Sequence, residues 1–200
     1  VQYAQLEALF PEGHPYHHST IGSMVDLDKA SLEDVKQWFR GHYGPNNAVL
    51  VLAGDVDLAT AKRLVEQYFG PIARGPENHP AQAAVPTLAS PKSETIKDQV
   101  ATTRLHRLWA VPGQTDKDTV PLDVFGSVLG GLSSSRLDNA LVRNEKLAVS
   151  VTAGLQPLER VGMFEVTADV RPGVDAAVVA MRLDEIVADF LKNGPTADEV

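Results

Sequence analysis

The feature that most constrains the fold is a pair of strand-like segments followed by a long amphipathic helix. Residues 147–155 and 162–170 alternate apolar and polar side chains, which predicts an antiparallel hairpin of long strands. Residues 174–192 place apolar side chains at helical spacing. Further helical and strand-like segments follow no regular strand–helix–strand order. This favours an α+β fold, with helices layered on a mostly antiparallel sheet, over a doubly wound parallel sheet.

Periodicity and capping residues predict the remaining elements. Ser31 is the expected N-cap of one helix, with Asp34 three positions later, and Asp57 is the expected N-cap of another. Apolar residues at helical spacing predict a buried stripe on the first of these helices, formed by Leu32, Val35, Trp38 and Phe39. Helices are also predicted over 1–10, 58–69, 117–129 and 136–144, and strands over 47–53 and, as a pair, within 93–111.

Composition excludes several classes of function. The 18 basic residues are scattered among 26 acidic ones, for a net charge of -8, so no basic stripe suggests nucleic-acid binding. The absence of cysteine excludes disulfides, thiolate catalysis and Cys-ligated zinc. No apolar run is long enough to span a bilayer.

Two features suggest a segment of a longer protein with an internal linker. The sequence begins at Val1 rather than Met and stops at Val200, within a predicted first helical turn that Thr196 would cap. Residues 71–92 contain four prolines before Pro91 and few large apolar side chains, which is typical of a linker.

The histidines are the first candidates for chemistry. His14, His17 and His18 lie within five residues and could in principle bind zinc or copper. They flank Pro15 in a loop instead of lying on one helix face, so a turn-anchoring role is the favoured interpretation and a metal-binding module the alternative. His42 and His106 stand alone in the sequence and are expected to be structural.

The run that starts at Gly130, GGLSSS, is the second candidate. It lacks the lysine of a phosphate-binding loop and does not match the Gly-x-Ser-x-Gly elbow of a serine hydrolase. A flexible loop is the default prediction, and a substrate-contacting loop is the alternative. We find no set of residues in the sequence that would hold a catalytic metal or activate a nucleophile.

An ordered series of motifs resembles the pitrilysin/insulinase (M16) family of zinc peptidases, particularly its short bacterial members. The motifs are His14-Pro15-Tyr16, Ile21-Gly22, Phe39 to Tyr43, Pro45-Asn46-Asn47, Gly54-Asp55 and Tyr68-Phe69-Gly70, followed by the glycine-rich run and Ser135-Arg136-Leu137. The resemblance implies tandem α+β units of the LuxS/mitochondrial-processing-peptidase-like metallohydrolase fold that close around a chamber for unfolded peptides. It also implies catalysis by zinc bound to a His-x-x-Glu-His motif, which this sequence lacks.

The resemblance also implies domain bounds and site residues. Residues 1–75 correspond to the later part of a first unit, 76–92 to a linker and 93–200 to most of a second unit. The candidate substrate-binding residues are Gly130, Gly131, Arg136 and Arg143, and no catalytic or metal-binding residue is carried over. Members of the family present a substrate-contacting tyrosine where this chain has Val149, and Arg143 lies one place from the usual arginine position.

The expected function is therefore that of a non-catalytic segment of a zinc metalloendopeptidase, forming chamber wall and domain contacts, with zinc held elsewhere in the parent protein. The alternative is part of a catalytically inactive M16-like partner subunit. Expected partners are peptide substrates, the remainder of the parent chain and a second or paired M16 subunit, with no nucleic acid and no membrane span. The bacterial periplasm is favoured over the cytoplasm.

Overall fold

The computed structural model describes residues 1–200, which divide into two compact units. The sheet unit comprises Val1–Ser19 and Gln82–Val200, and the helical unit comprises Thr20–Ala81. In chain order the elements are α1 (Gln2–Leu9), α2 (Met24–Lys29), α3 (Leu32–His42), α4 (Leu58–Phe69), β1 (Arg104–Pro112), α5 (Thr119–Gly126), β2 (Ala148–Pro157), β3 (Val161–Val170) and α6 (Ala176–Asn193).

The sheet unit is built on a three-stranded antiparallel sheet in the order β1-β3-β2. The predicted hairpin is confirmed as β2 and β3, and β3 is the central strand. Of the two strands predicted within 93–111, only the second forms. The first is wrong, because pairing begins where the carbonyl of Thr103 accepts a hydrogen bond from Val170 N–H, at 2.9 Å, and residues 93–102 have no partner strand.

One face of the sheet carries the main hydrophobic core. Phe164, Val166 and Ala168 project from this face of β3 and are almost fully buried. They lie beneath α6, α5 and two π-helical turns, Ser127–Gly131 and Asp138–Asn144. The helix α6 is fixed at both ends, because the Asp175 carboxylate accepts a hydrogen bond from Ala177 N–H at 2.9 Å and Gly194 adopts a φ of 73° beyond its last turn.

The opposite face of the sheet is polar along much of its length. Strict alternation places Glu165, Thr167 and Asp169 of β3 on this side. The helix α1 covers the apolar end of the face, where Leu6, Leu9 and Phe10 pack with Val161 and Met163. The predicted helix over 1–10 is thus confirmed and forms the second layer on the sheet.

The helical unit confirms the predicted caps. Ser31 and Asp34 form a reciprocal capping box at the start of α3, and the Asp57 carboxylate accepts hydrogen bonds from the first turn of α4. The predicted strand over 47–53 is wrong. Residues 45–47 form a 3₁₀ turn, and residues 48–53 form neither helix nor strand. Val49 is 92% and Val51 79% exposed.

The apolar stripe of α3 is also exposed, contrary to the prediction that it is buried. Trp38 is 53% exposed, and the Trp38 indole stacks on the His42 ring with centroids 4.7 Å apart. No large apolar residue within the helical unit is buried. The apolar residues of α3 therefore have the spacing of a core-facing stripe, but no element of the helical unit covers them.

The predicted α+β class is confirmed by the helices and the antiparallel sheet. None of the helices combines the length and the apolar composition needed to cross a bilayer.

Candidate functional site

The glycine pair after α5 is part of a helical turn, so the predicted flexible turn is wrong for Gly130 and Gly131. Residues 132–135 form bends and turns, in agreement with a turn at this point of the chain. Gly130 is buried in the π-helical turn Ser127–Gly131. A Cβ on Gly130 would lie 2.8 Å from both the Cβ and the amide nitrogen of Ala153 in β2. The absence of a side chain therefore lets the turn approach the strand. Gly131 is exposed, and a Cβ there would lie 3.4 Å from its nearest neighbour, the carbonyl oxygen of Gly126.

Arg136 connects the turn after Gly131 to the end of the chain. The Arg136 guanidinium donates to both carboxylate oxygens of Glu199, at 2.8 and 2.6 Å, and to the carbonyl of Gly194 at 3.1 Å. It also lies 4.5 Å from the Phe190 ring centroid, in cation–π contact. The hydrogen bonds from Arg136 lower the pKa of Glu199 to about 2. Together these contacts hold the turn after Gly131 against α6 and the segment that follows it.

Arg143 lies on the surface in a different environment. Its guanidinium pairs with Asp138 at 2.8 Å, within the π-helical turn Asp138–Asn144. The Arg143 side chain is 55% exposed, compared with 17% for Arg136. Val149, at the position where the family has a tyrosine, is exposed on β2. The four candidate substrate-binding residues therefore divide into two that are exposed, Gly131 and Arg143, and two that hold structure together.

Hydrogen bonds and ring stacking by its own histidine side chains hold the histidine-rich loop in place. The His14 imidazole accepts a hydrogen bond from Tyr16 N–H at 3.2 Å and donates one to the Ala84 carbonyl at 3.0 Å. It also stacks on Phe10, with ring centroids 4.9 Å apart. His17 donates from Nδ1 to the carbonyl of Phe10 at 2.8 Å. These contacts correspond to the turn-anchoring role.

A polar cluster that the sequence analysis did not predict lies on the polar face of the sheet. His106 Nδ1 in β1 is 2.6 Å from Glu165 Oε1 in β3, so His106 does not stand alone. Gln5 of α1 donates to the same carboxylate oxygen at 3.0 Å. The alternation of acidic and apolar residues in β3 could have suggested a polar face, but the contact with Gln5 spans 160 positions and leaves no local signal.

A cavity of about 260 Å³ adjoins this cluster. It lies between α1 and the sheet, and one side is formed by five consecutive residues, 152–156, of the edge strand β2. Glu165 is the only charged residue in its lining. The other lining groups are the Thr152 hydroxyl, amide side chains such as Gln2 and Gln5, and apolar side chains such as Leu108 and Met163.

The residues present do not form a zinc site. No group of three or more His, Cys, Asp or Glu side chains in the structure lies close enough together to hold a metal ion. His106 and Glu165 form a pair without a third ligand. No catalytic step through a metal is therefore derived from these residues.

The fold is that of M16 peptidase domains. The structure of a peptidase M16 inactive domain from Pseudomonas fluorescens matches 98% of this chain and 47% of its own, with a TM-score of 0.79 and 23% identity. The periplasmic protease PqqL from Escherichia coli matches 98% of this chain and 22% of its own, with a TM-score of 0.64 and 17% identity. Both show the same α+β architecture.

Sequence comparison gives the family. Residues 29–200 match the model of the peptidase M16 inactive domain, and the chain therefore belongs to the M16 peptidase family. The zinc protease PqqE of Helicobacter pylori is 28% identical over 195 residues, which are 94% of this chain and 43% of that protein. The chain spans less than half the length of the curated relatives it matches.

Proposed function

We propose that this chain is the non-catalytic segment of a zinc metalloendopeptidase and forms part of the wall of a chamber that binds unfolded peptides. The observation that carries the proposal is the match of residues 29–200 to the peptidase M16 inactive domain. The relative from Helicobacter pylori, which is described as a zinc protease, supports zinc as the cofactor of the parent protein. In this proposal the metal ligands lie outside these 200 residues.

The proposed organisation follows the order of the family motifs. Residues 1–75 would be the later part of a first M16-like unit, 76–92 a linker, and 93–200 most of a second unit. The partners are the remainder of the parent chain and a second or paired M16 subunit. The periplasm is the proposed compartment, supported by the fold neighbour PqqL, which is described as a periplasmic protease.

The edge strand β2 is the proposed point of contact with peptide. Strand β2 lies at one side of the sheet and pairs only with β3. No strand of this chain pairs with its outer side, which is where we propose that a peptide strand is added. Gly131 and Arg143 are exposed near the helical turns that pack against β2 and are the proposed side contacts. Gly130 and Arg136 would act by holding these turns in place.

Peptide binding by the 200-residue chain tests the proposal. A fluorescein-labelled peptide without stable structure is titrated with the chain, and binding is followed by fluorescence anisotropy with and without a chelator. We expect saturable binding that the chelator does not change, because no metal takes part. An anisotropy that stays flat up to high protein concentration would contradict a peptide-binding role.

The alternative is part of an inactive partner subunit that serves substrate binding or assembly. The two hypotheses differ in the sequence upstream, which either contains His-x-x-Glu-His or lacks it. Purified parent protein would cleave peptides in a chelator-sensitive way in the first case. In the second it would do so only after addition of a catalytic M16 subunit.

A further inference from the structure

We infer that the cavity between α1 and β2 is a pocket for a basic side chain of an extended peptide that pairs with the edge of β2. This inference rests on the proposed function, because it assigns a specificity to the same peptide-binding surface. Three observations support it: the size and position of the cavity, the charge and polarity of its lining, and one glycine in the edge strand.

The size of the cavity fits a side chain better than a whole ligand. Pockets for drug-sized molecules occupy about 300–1,000 Å³, and this one has about 260 Å³. Its wall includes residues 152–156 of β2, so a strand added at this edge would pass directly beside it. Side chains of an added strand point alternately to the two faces of the sheet, and those on the polar face would point towards the cavity.

Gly154 keeps the entrance open. It pairs with Glu165 in the register of β2 and β3 and therefore lies next to that carboxylate on the polar face. A Cβ built on Gly154 would have no atom within 4 Å. Any side chain at this position would thus extend into free space beside Glu165, which is the space that the incoming side chain would occupy.

The lining favours a long cationic side chain. Glu165 is the only charged residue in the wall, and His106 and Gln5 contact a single oxygen of it, Oε1. A carboxylate can accept about four hydrogen bonds, so acceptor capacity remains for an ammonium or guanidinium group. Leu108 and Met163 provide apolar surface along which the methylene groups of lysine or arginine can lie.

Three matched peptides test the pocket. Each is a labelled nine-residue peptide of Ser, Thr and Val with one central residue that is lysine, norleucine or glutamate. All three titrations are done at the same pH and ionic strength. We expect the lysine peptide to bind at least tenfold more tightly than the norleucine peptide, which keeps the stem and lacks the charge, and the glutamate peptide to bind most weakly.

Variants locate the binding. Gly154→Phe should fill the cavity and weaken binding of the lysine peptide at least tenfold, and Glu165→Gln should remove the preference for lysine over norleucine. Asp123→Asn removes an exposed carboxylate elsewhere in the sheet unit, and Gly41→Phe adds the same ring at an open glycine in the helical unit. Both controls should bind as the unchanged chain does.

Amide NMR spectra of the unchanged chain provide a readout that needs no variant, in case Gly154→Phe does not fold. The lysine peptide should shift the signals of Thr152, Gly154 and Gln156. Binding that is equal for the three peptides, or that leaves these signals unmoved, would overturn the pocket while leaving peptide binding intact. Absence of binding by all three peptides would overturn both the pocket and the proposed function.

Discussion

The guanidinium of Arg136 holds both carboxylate oxygens of Glu199, at 2.8 and 2.6 Å, and so connects the turn after α5 to the segment after α6. The neighbouring Thr196 also donates to the same carboxylate, from its backbone N–H at 2.8 Å. The residues between Gly194 and Val200 therefore dock through one charged contact and not through buried apolar surface. This relationship makes a role for Arg136 in stability directly measurable.

We expect Arg136→Met to lower the free energy of unfolding by about 1–2 kcal/mol, because charge-assisted hydrogen bonds that are partly shielded from water are lost. Arg143→Met is the matched control. Its ion pair with Asp138 is more exposed, so its effect should stay within about 0.5 kcal/mol. Urea denaturation of the two variants gives the comparison, and equal losses would show that Arg136 is not an anchor.

The same contact predicts a dependence on pH. Hydrogen bonds from Arg136 lower the pKa of Glu199 from 4.5 to about 2. The stabilisation is therefore fully present above pH 4.5 and is lost as the pH falls from 4.5 towards 2, because the unfolded chain then binds a proton that the folded chain excludes. The stability difference between the unchanged chain and Glu199→Gln should be constant from pH 8 to 6 and should shrink below pH 4.5. A difference that grows in acid would contradict this assignment.

A third prediction concerns the glycine pair. Gly130→Ala should destabilise the sheet unit by about 1–3 kcal/mol, because the added methyl group has no room against a packed strand. The physical cause is the 2.8 Å approach to Ala153. Gly131→Ala is the control, since its Cβ meets only ordinary contacts, and its effect should be small. Thermal unfolding followed by circular dichroism distinguishes them, and similar melting temperatures would contradict the packing role of Gly130.

Local sequence signals predicted the capped helices and the hairpin well. The Ser31–Asp34 box and the Asp57 cap depend on residues three positions apart, and the alternation within β2 and β3 specifies their two faces. Contacts over long separations left no comparable signal. The sequence does not show that Gln5 reaches Glu165, that Gly130 lies against Ala153, or that Arg136 meets Glu199.

The prediction for residues 47–53 failed for a different reason. Val49 and Val51 have the apolar β-branched character of a buried strand, but a strand needs a partner, and the helical unit contains none. The same holds for the stripe of α3, where Trp38 has the spacing of a core residue and remains exposed. Composition and periodicity predict whether a segment favours a strand or an amphipathic helix. Contact with a partner element decides whether the strand forms and whether the apolar face of the helix is buried.

A fourth prediction concerns the histidine-rich loop. His14 uses both ring nitrogens in hydrogen bonds, and His17 uses Nδ1, so zinc would have to displace contacts that fix the loop. We expect the imidazole NMR signals of His14 and His17 to stay unmoved when one equivalent of zinc is added. His79, which with His42 is one of the two histidines in the helical unit, serves as an internal reference. Joint movement of the His14, His17 and His18 signals at low zinc concentration would favour the metal-binding module instead.

The most direct test of the non-catalytic role is a mass-spectrometric time course of an unstructured peptide incubated with the purified 200-residue chain, with zinc or with a chelator. A zinc endopeptidase that digests the same peptide in parallel provides the positive control. We predict that the peptide remains intact under both conditions, because no set of side chains in the structure can hold the metal. Fragments that form with zinc and disappear with the chelator would contradict the account.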